Sequence, residues 1–272
     1  IVVGAVVRLA GIGLGADVAW FAWAVVAESV VLVLLLMAGA AQLTGLRRAD
    51  FLLDRQGAAA YLRLCLPTAL SATLMALDSR LELLIIGSLA SSTAAGLWAA
   101  AQMFVLPWSM IAVSVVATAN RGLAALQDQP EVYHRHMVRL IRRMALAGCA
   151  AAVFNVAAAH LLIPLLLGGR YQQAIGVVSI TSLLIVSTFV SVVQEISIAH
   201  RRATDVVLKK VLIGLPLSLA LLVLLLPRFG ILGAAVGTVL SKYTLAFALN
   251  AIFDREFMHL QLESVGLRRA AP

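Results

Sequence analysis

Val18–Thr44 reads VAWFAWAVVAESVVLVLLLMAGAAQLT, an apolar run whose only charge is Glu28. A helix needs about 20 such residues to cross the hydrocarbon core of a bilayer, so this stretch can span one. The pattern recurs at Leu64–Leu89, Ala95–Ala119, Met144–Leu167, Gln173–Ile198 and Gly230–Phe253, with a shorter run at Val206–Leu226. Ile1–Leu14 is a further, truncated run. Only helices and closed barrels satisfy their backbone groups in lipid, and runs of this length predict an all-α polytopic transmembrane bundle of about eight spans.

Composition agrees. Hydrophobic residues make up 62% of the 272-residue chain and charged residues 12%, with a mean hydropathy of +1.00. Soluble domains hold roughly half apolar and about a quarter charged residues, so this much apolar surface calls for lipid as solvent. The chain opens on Ile1, inside a run, with no basic n-region and no small-residue cleavage site. That pattern is not a signal peptide, and it predicts that an N-terminal part is missing. Cys65 and Cys149 lie inside apolar runs and read as small hydrophobes rather than as a disulfide or a metal site. The chain shows no metal-ligand spacing, Walker motif or catalytic triad, so no cofactor, ATP-driven step or enzyme activity is expected.

A net charge of +8 could suit nucleic acid, but its distribution argues against that. Arg47, Arg48, Arg55 and Arg63 fill one gap between runs. Arg121, Arg135, Arg139, Arg142 and Arg143 fill the next but one, and Arg201, Arg202, Lys209 and Lys210 another. Arg255, Arg268 and Arg269 lie in the tail, whereas the intervening gaps hold only Arg170 and Arg228. This is the positive-inside pattern; it places the four basic segments, C-terminus included, in the cytoplasm and sets them against anionic membrane lipid. The longest polar stretch is Arg121–Arg143, and its second half, Glu131–Arg143, has charges at helical spacing that predict a helix lying along the cytoplasmic surface. The charged Gly45–Arg63 segment is the natural boundary between two lobes, which divides the chain into 1–44, a linker at 45–63, a lobe at 64–253 and a cytoplasmic tail at 254–272.

Several local patterns carry a family resemblance. Asp78-Ser79-Arg80-Leu81-Glu82-Leu83-Leu84-Ile85-Ile86-Gly87 continues into Ala94-Ala95-Gly96-Leu97-Trp98. Gly169-Arg170-Tyr171-Gln172-Gln173-Ala174 and Arg228-Phe229-Gly230-Ile231-Leu232-Gly233 form short outer turns, and Leu14-Gly15-Ala16-Asp17 leads into Trp20-Phe21-Ala22. In this order they resemble the polysaccharide-exporter, or O-antigen flippase, branch of the MATE-like (MOP) flippase superfamily. The resemblance implies two six-helix lobes around a central cavity, with this chain holding the last two helices of the first lobe and all six of the second. It also implies a bacterial inner-membrane flippase for a polyprenyl-diphosphate oligosaccharide, working by alternating access, with polysaccharide-assembly proteins as possible partners. The chain departs from the family pattern at Glu82, where relatives often carry Asp, and at Asn120-Arg121-Gly122, where they often carry Pro.

A charge at the bilayer centre costs about 2.5–3.5 kcal/mol on insertion scales, so each embedded charge needs a partner, a wet cavity or a task. The candidates are Arg8, Glu28, Asp78, Arg80, Glu82, Glu195 and Lys242. Asp78 and Glu82, four apart, share a helix face, and Arg80 points nearly the opposite way. Arg80 is read either as a contact for substrate phosphate, which its fork suits, or as half of a structural ion pair. Lys242 and Arg8 are further cationic candidates for the cavity, with Gln102 as a polar one; Gln102 and Asn155 can also bridge helices by hydrogen bonds. Glu28, Glu82 and Asp78 are the candidates for a coupling proton or sodium ion, with pairing of Glu28 to Arg8 or Lys242 as the structural alternative. Glu195 and His200 lie near the cytoplasmic end of their run, and His160 is read as a packed or hydrogen-bonded core residue. Gly230, Gly233 and Gly237 have the small-residue spacing of close helix packing.

Two rival functions stand beside the flippase: a proton- or sodium-coupled exporter of small cationic drugs, which calls for net-acidic cavity walls, and a non-transporting fragment.

Overall fold

The computed structural model describes residues 2–44 and 55–267. The greater part of the 45–63 linker, with Arg47 and Arg48, and Arg268 and Arg269 of the tail lie outside the described residues. The described residues are helical and contain no strand. They form α1 (Val2–Gly13), α2 (Val18–Thr44), α3 (Arg55–Leu89), α4 (Ser92–Ala124), α5 (Pro130–Leu162), α6 (Ala174–Thr181), α7 (Leu183–His200), α8 (Thr204–Tyr243), α9 (Asn250–Phe253) and α10 (Arg255–Ser264). Five helical segments among them are long and apolar enough to cross a membrane: Ala19–Gly39, Ser92–Ala124, Pro130–Leu166, Ala174–His200 and Thr204–Phe253. α3 is not among them, interrupted as it is by Asp78, Arg80 and Glu82. The chain divides into two compact units, Ile1–Arg63 and Leu64–Pro272.

The first unit is a helical hairpin. α1 ends at Gly13, Gly15 turns the chain with φ +65°, and Asp17 caps the next helix by accepting from Trp20 N at 3.2 Å. The Trp20 indole donates to Val7 O at 3.3 Å and packs where a Gly11 side chain would stand. Most of α2 is bare: Leu32 to Met37 are all exposed, which in water would be an insoluble stripe and in lipid needs no partner.

The second unit is a helical lobe with an apolar core at each end. One core joins Met137, Ile141 and Met144 of α5 to Val116 of α4, Phe189 and Val193 of α7, and Phe257 of α10. The other joins Ile86 of α3, Trp98 of α4, Ile163, Val177 of α6, and Leu222 and Ala234 of α8. Asn155 ties the lobe together between them: it accepts from Trp108 Nε1 at 3.0 Å and donates to Ser182 Oγ at 2.9 Å. Ser182 also marks the break between α6 and α7, its hydroxyl donating back to Val178 O at 2.6 Å.

α8 is two antiparallel limbs joined at Gly230, whose φ of 63° and ψ of −153° suit only glycine. The limbs press together where Gly233 and Gly237 face the backbone of Leu225 and Leu221, so this small-residue spacing does serve close packing. The second limb widens into a π-helical turn at Thr244–Ala248, just past Lys242, and Leu245 there covers Gly214.

Three sequence expectations need correction. Glu131–Arg143 does not lie along the surface as a separate element: it is the start of α5, continuous with the span. No breaker follows Pro130, and Met137, Ile141 and Met144 carry one apolar stripe across the junction. The segment after 253 is not merely a tail, because α10 folds back onto α5 with Phe257 0% exposed and Leu260 buried beside it. His160 is exposed rather than packed, its Nδ1 bonded to Val156 O at 2.9 Å.

Candidate functional site

A pocket of about 330 Å3 opens within the lobe, walled by Asp78 of α3, Gln102 of α4, Ser187, Ser191 and Glu195 of α7, and Lys242 of α8. Asp78 is only 4% exposed and forms an ion pair with the Lys242 ammonium. Asp78 Oδ1, by contrast, is buried without a hydrogen-bond partner. A buried carboxylate oxygen without a protein partner is costly unless a water or an ion meets it. Lys242 keeps about a third of its side chain exposed, at 36%, so it can turn into the pocket without breaking a core.

Glu82, one turn along α3, is 5% exposed and reaches between the two limbs of α8. Its Oε1 accepts from Ser218 Oγ and Thr238 Oγ1, each at 3.4 Å. These are long contacts for hydroxyl donors, whose usual range is about 2.5–3.0 Å, so Glu82 is loosely held. Asp78 and Glu82 are therefore on one buried face, as their spacing implies. Arg80 is exposed on α3, does not line the pocket, and makes no ion pair or hydrogen bond among the described residues. Arg8 and Glu28 lie in the first unit and pair with each other at 2.6 Å, across α1 and α2. The structure thus brings Asp78, Lys242 and Gln102 together, and sets Glu82 behind them. Among the described residues no cluster of His, Cys, Asp and Glu is placed to hold a metal ion.

Sequence reasoning missed a second polar cluster, at the end of the lobe that carries the basic loops. Lys210, counted as a loop charge, is buried on α8 at 8% exposure. Its ammonium donates to Gln194 Oε1 at 2.8 Å and Asn250 Oδ1 at 2.7 Å. Gln194 Nε2 in turn donates to Asn250 Oδ1 and Asp254 Oδ2, both at 2.8 Å. Asp254 takes two bonds from Arg201, at 2.9 and 3.0 Å, and caps α10 through Phe257 N. Asn250 Nδ2 completes the set by donating to Gln261 Oε1 at 3.0 Å. A signal was present: Gln194 and Asn250 are amides near the ends of apolar stretches, and Asn250 and Asp254 sit one turn apart. A second chain runs beside it, from Tyr133 Oη to His200 Nδ1 at 3.1 Å and from His200 Nε2 to Asn120 Oδ1 at 2.9 Å.

Comparison with known proteins gives one family and no individual relative. The family described as "Polysaccharide biosynthesis protein" matches residues 1–176. The matched stretch carries Arg8, Glu28, Asp78, Arg80, Glu82 and Gln102 and stops short of Lys242. No curated protein and no solved structure matches the chain. With its apolar spans and a match over most of its length, this chain is a multispan helical membrane protein that belongs to the polysaccharide biosynthesis protein family.

Proposed function

We propose that the protein is a flippase that moves a polyprenyl-diphosphate-linked oligosaccharide across the bacterial inner membrane, from the cytoplasmic to the outer leaflet. The observation that carries this reading is the Asp78–Lys242 pair, set in a membrane-spanning lobe beside a pocket, with one Asp78 oxygen unsatisfied. Alternating access needs a ligand that binds two states differently. A proton or sodium ion that neutralises Asp78 frees Lys242, and a freed ammonium in a low-dielectric pocket attracts a diphosphate headgroup. Glu82, loosely held between the limbs of α8, is the second carboxylate able to take the ion. No chemical step on the substrate is required, and nucleic acid has no part in the cycle. Polysaccharide-assembly proteins are the partners this cargo implies.

The test is transport of lipid-linked oligosaccharide in vesicles reconstituted with the full-length protein. Asp78→Asn/Lys242→Gln, which removes both charges, is expected to keep the fold and to lower transport at least about tenfold, equivalent to about 1.4 kcal/mol of barrier. Full transport by this double variant sinks the reading.

The orientation that accompanies it puts the basic loops and the C-terminus in the cytoplasm. In a Cys-free background an impermeant thiol reagent added outside is expected to label cysteine placed at Ser92 and not at Arg139; the opposite result inverts the protein.

One observation favours export of small cations instead. Around the pocket the acids Asp78 and Glu195 face a single base, Lys242, which leaves a net-acidic wall. Gradient-driven efflux of a cationic dye from the same vesicles, abolished by Glu195→Gln, is the result that favours this second function.

A further inference from the structure

At the basic-loop end of the lobe, the last turns of α4 and the first turns of α5 enclose a groove of about 300 Å3 that the transport reading does not use. Its floor is apolar, formed by Ala119, Leu123, Leu126 and Leu140. Leu123 belongs to the buried core, which fixes the floor in place. Its rim is cationic: Arg139 and Arg143, one helical turn apart, with His136 alongside. Arg139 Nε donates to Arg135 O at 3.2 Å, and its terminal nitrogens have no partner among the described residues. Arg143 has no ion pair there either, and the acids of this hairpin, Asp128 and Glu131, do not line the groove. His136 bonds Val132 O through Nδ1 at 2.9 Å. Gly122 forms part of the wall, and a Cβ built on it meets nothing within 4 Å, so the space is open.

We propose that this groove is a binding site for an anionic phospholipid of the leaflet facing the basic loops. The argument is charge complementarity joined to place. Two forked guanidiniums one turn apart match the oxygens of a phosphodiester headgroup, and the apolar floor beneath them takes the start of an acyl chain. The groove lies at the terminal turns of two membrane spans, Ser92–Ala124 and Pro130–Leu166, where headgroup phosphates sit. A soluble anion uses the rim and leaves the floor idle; a zwitterionic lipid uses the floor and does not reward the unpaired arginines. The site is independent of the cargo and of the Asp78–Lys242 pocket.

The experiment is native mass spectrometry of the full-length protein released from detergent after titration with phosphatidylglycerol, phosphatidylcholine or a polyprenyl diphosphate. Phosphatidylglycerol is expected to stay bound in preference to phosphatidylcholine. Arg139→Gln/Arg143→Gln is expected to weaken it about thirtyfold. Gly122→Leu, which fills the open space without touching charge, is expected to displace it as well, and serves if the arginine variant fails to fold. Arg142→Gln, a neighbouring guanidinium outside the groove, is expected to leave binding unchanged. Equal retention of phosphatidylcholine, or equal loss in Arg142→Gln, overturns the proposal in favour of a diffuse basic surface. Displacement of phosphatidylglycerol by the polyprenyl diphosphate overturns it by assigning the groove to the cargo.

Discussion

The Lys210 network and the Asp78–Lys242 pair are both buried charges in apolar helices of one lobe, yet only the first is saturated. Around Lys210 each amide and carboxylate oxygen meets a donor at 2.7–3.0 Å, and the ring of contacts ties α7, α8, α9 and α10 together. Around Asp78 one oxygen is bare, Glu82 is held at 3.4 Å, and a pocket opens beside them. A saturated network rigidifies, because every rearrangement leaves a desolvated group unpaired. An incomplete one lowers the barrier to exchanging partners, which a transporter needs and a clamp does not. The first cluster therefore reads as architecture; on the proposed transport function, the second is where partners exchange.

The largest effect that tests this contrast is on the saturated side. Asp254→Ala leaves Arg201 only its exposed partner Glu256, uncaps α10 and takes one of two acceptors from Gln194 Nε2, and is expected to cost about 2–3 kcal/mol. Thermal unfolding in detergent measures it, and limited proteolysis should show α10 released. An unchanged melting temperature would remove the clamp.

On the working side, Asp78→Asn alone leaves Lys242 without its carboxylate and is expected to destabilise the lobe, while adding Lys242→Gln recovers part of the loss, with a coupling of about 0.5–3 kcal/mol. Simple additivity in that cycle would mean the two charges do not interact. Glu82→Gln is nearly isosteric and replaces long contacts, so it should cost about 1 kcal/mol or less. Its expected signature is transport that no longer follows the ion gradient; unaltered gradient dependence makes Glu82 a packing residue.

Arg80→Ala has the smallest expected effect on stability, within about 0.5 kcal/mol, because the side chain is exposed and unpaired among the described residues. Transport is expected to stay near normal, because Arg80 does not line the pocket; a fall with membrane abundance intact, rescued in part by Arg80→Lys, would instead give it a phosphate contact outside the pocket. Normal transport by Arg80→Ala ends the phosphate-contact role.

Much of this was readable before any coordinates. The apolar runs foretell where the helices lie, because length and hydropathy are local properties. The four-residue spacing of Asp78 and Glu82 puts them on one face and Arg80 on another, because 3.6 residues make a turn. The sequence leaves Glu28 three readings, a pair with Arg8, a pair with Lys242 or an ion site, and the hairpin at Gly15 forms the first by laying α1 against α2. The docking of α10 was not read, although Phe257, Leu260, Gln261 and Ser264 fall at one helical stripe. The stripe is short, and its partners in α5 lie more than a hundred residues away.

The sequence by itself determined the solvent and the helices, since these follow from composition and hydropathy along the chain. Only the tertiary structure decided which charges are buried and what meets them. Lys209 and Lys210 are neighbours in sequence, yet one pairs with Asp205 at 2.7 Å on the surface and the other disappears into the lobe. One residue turns a helix by about 100°, and only the packing of α7, α9 and α10 makes one of those directions interior.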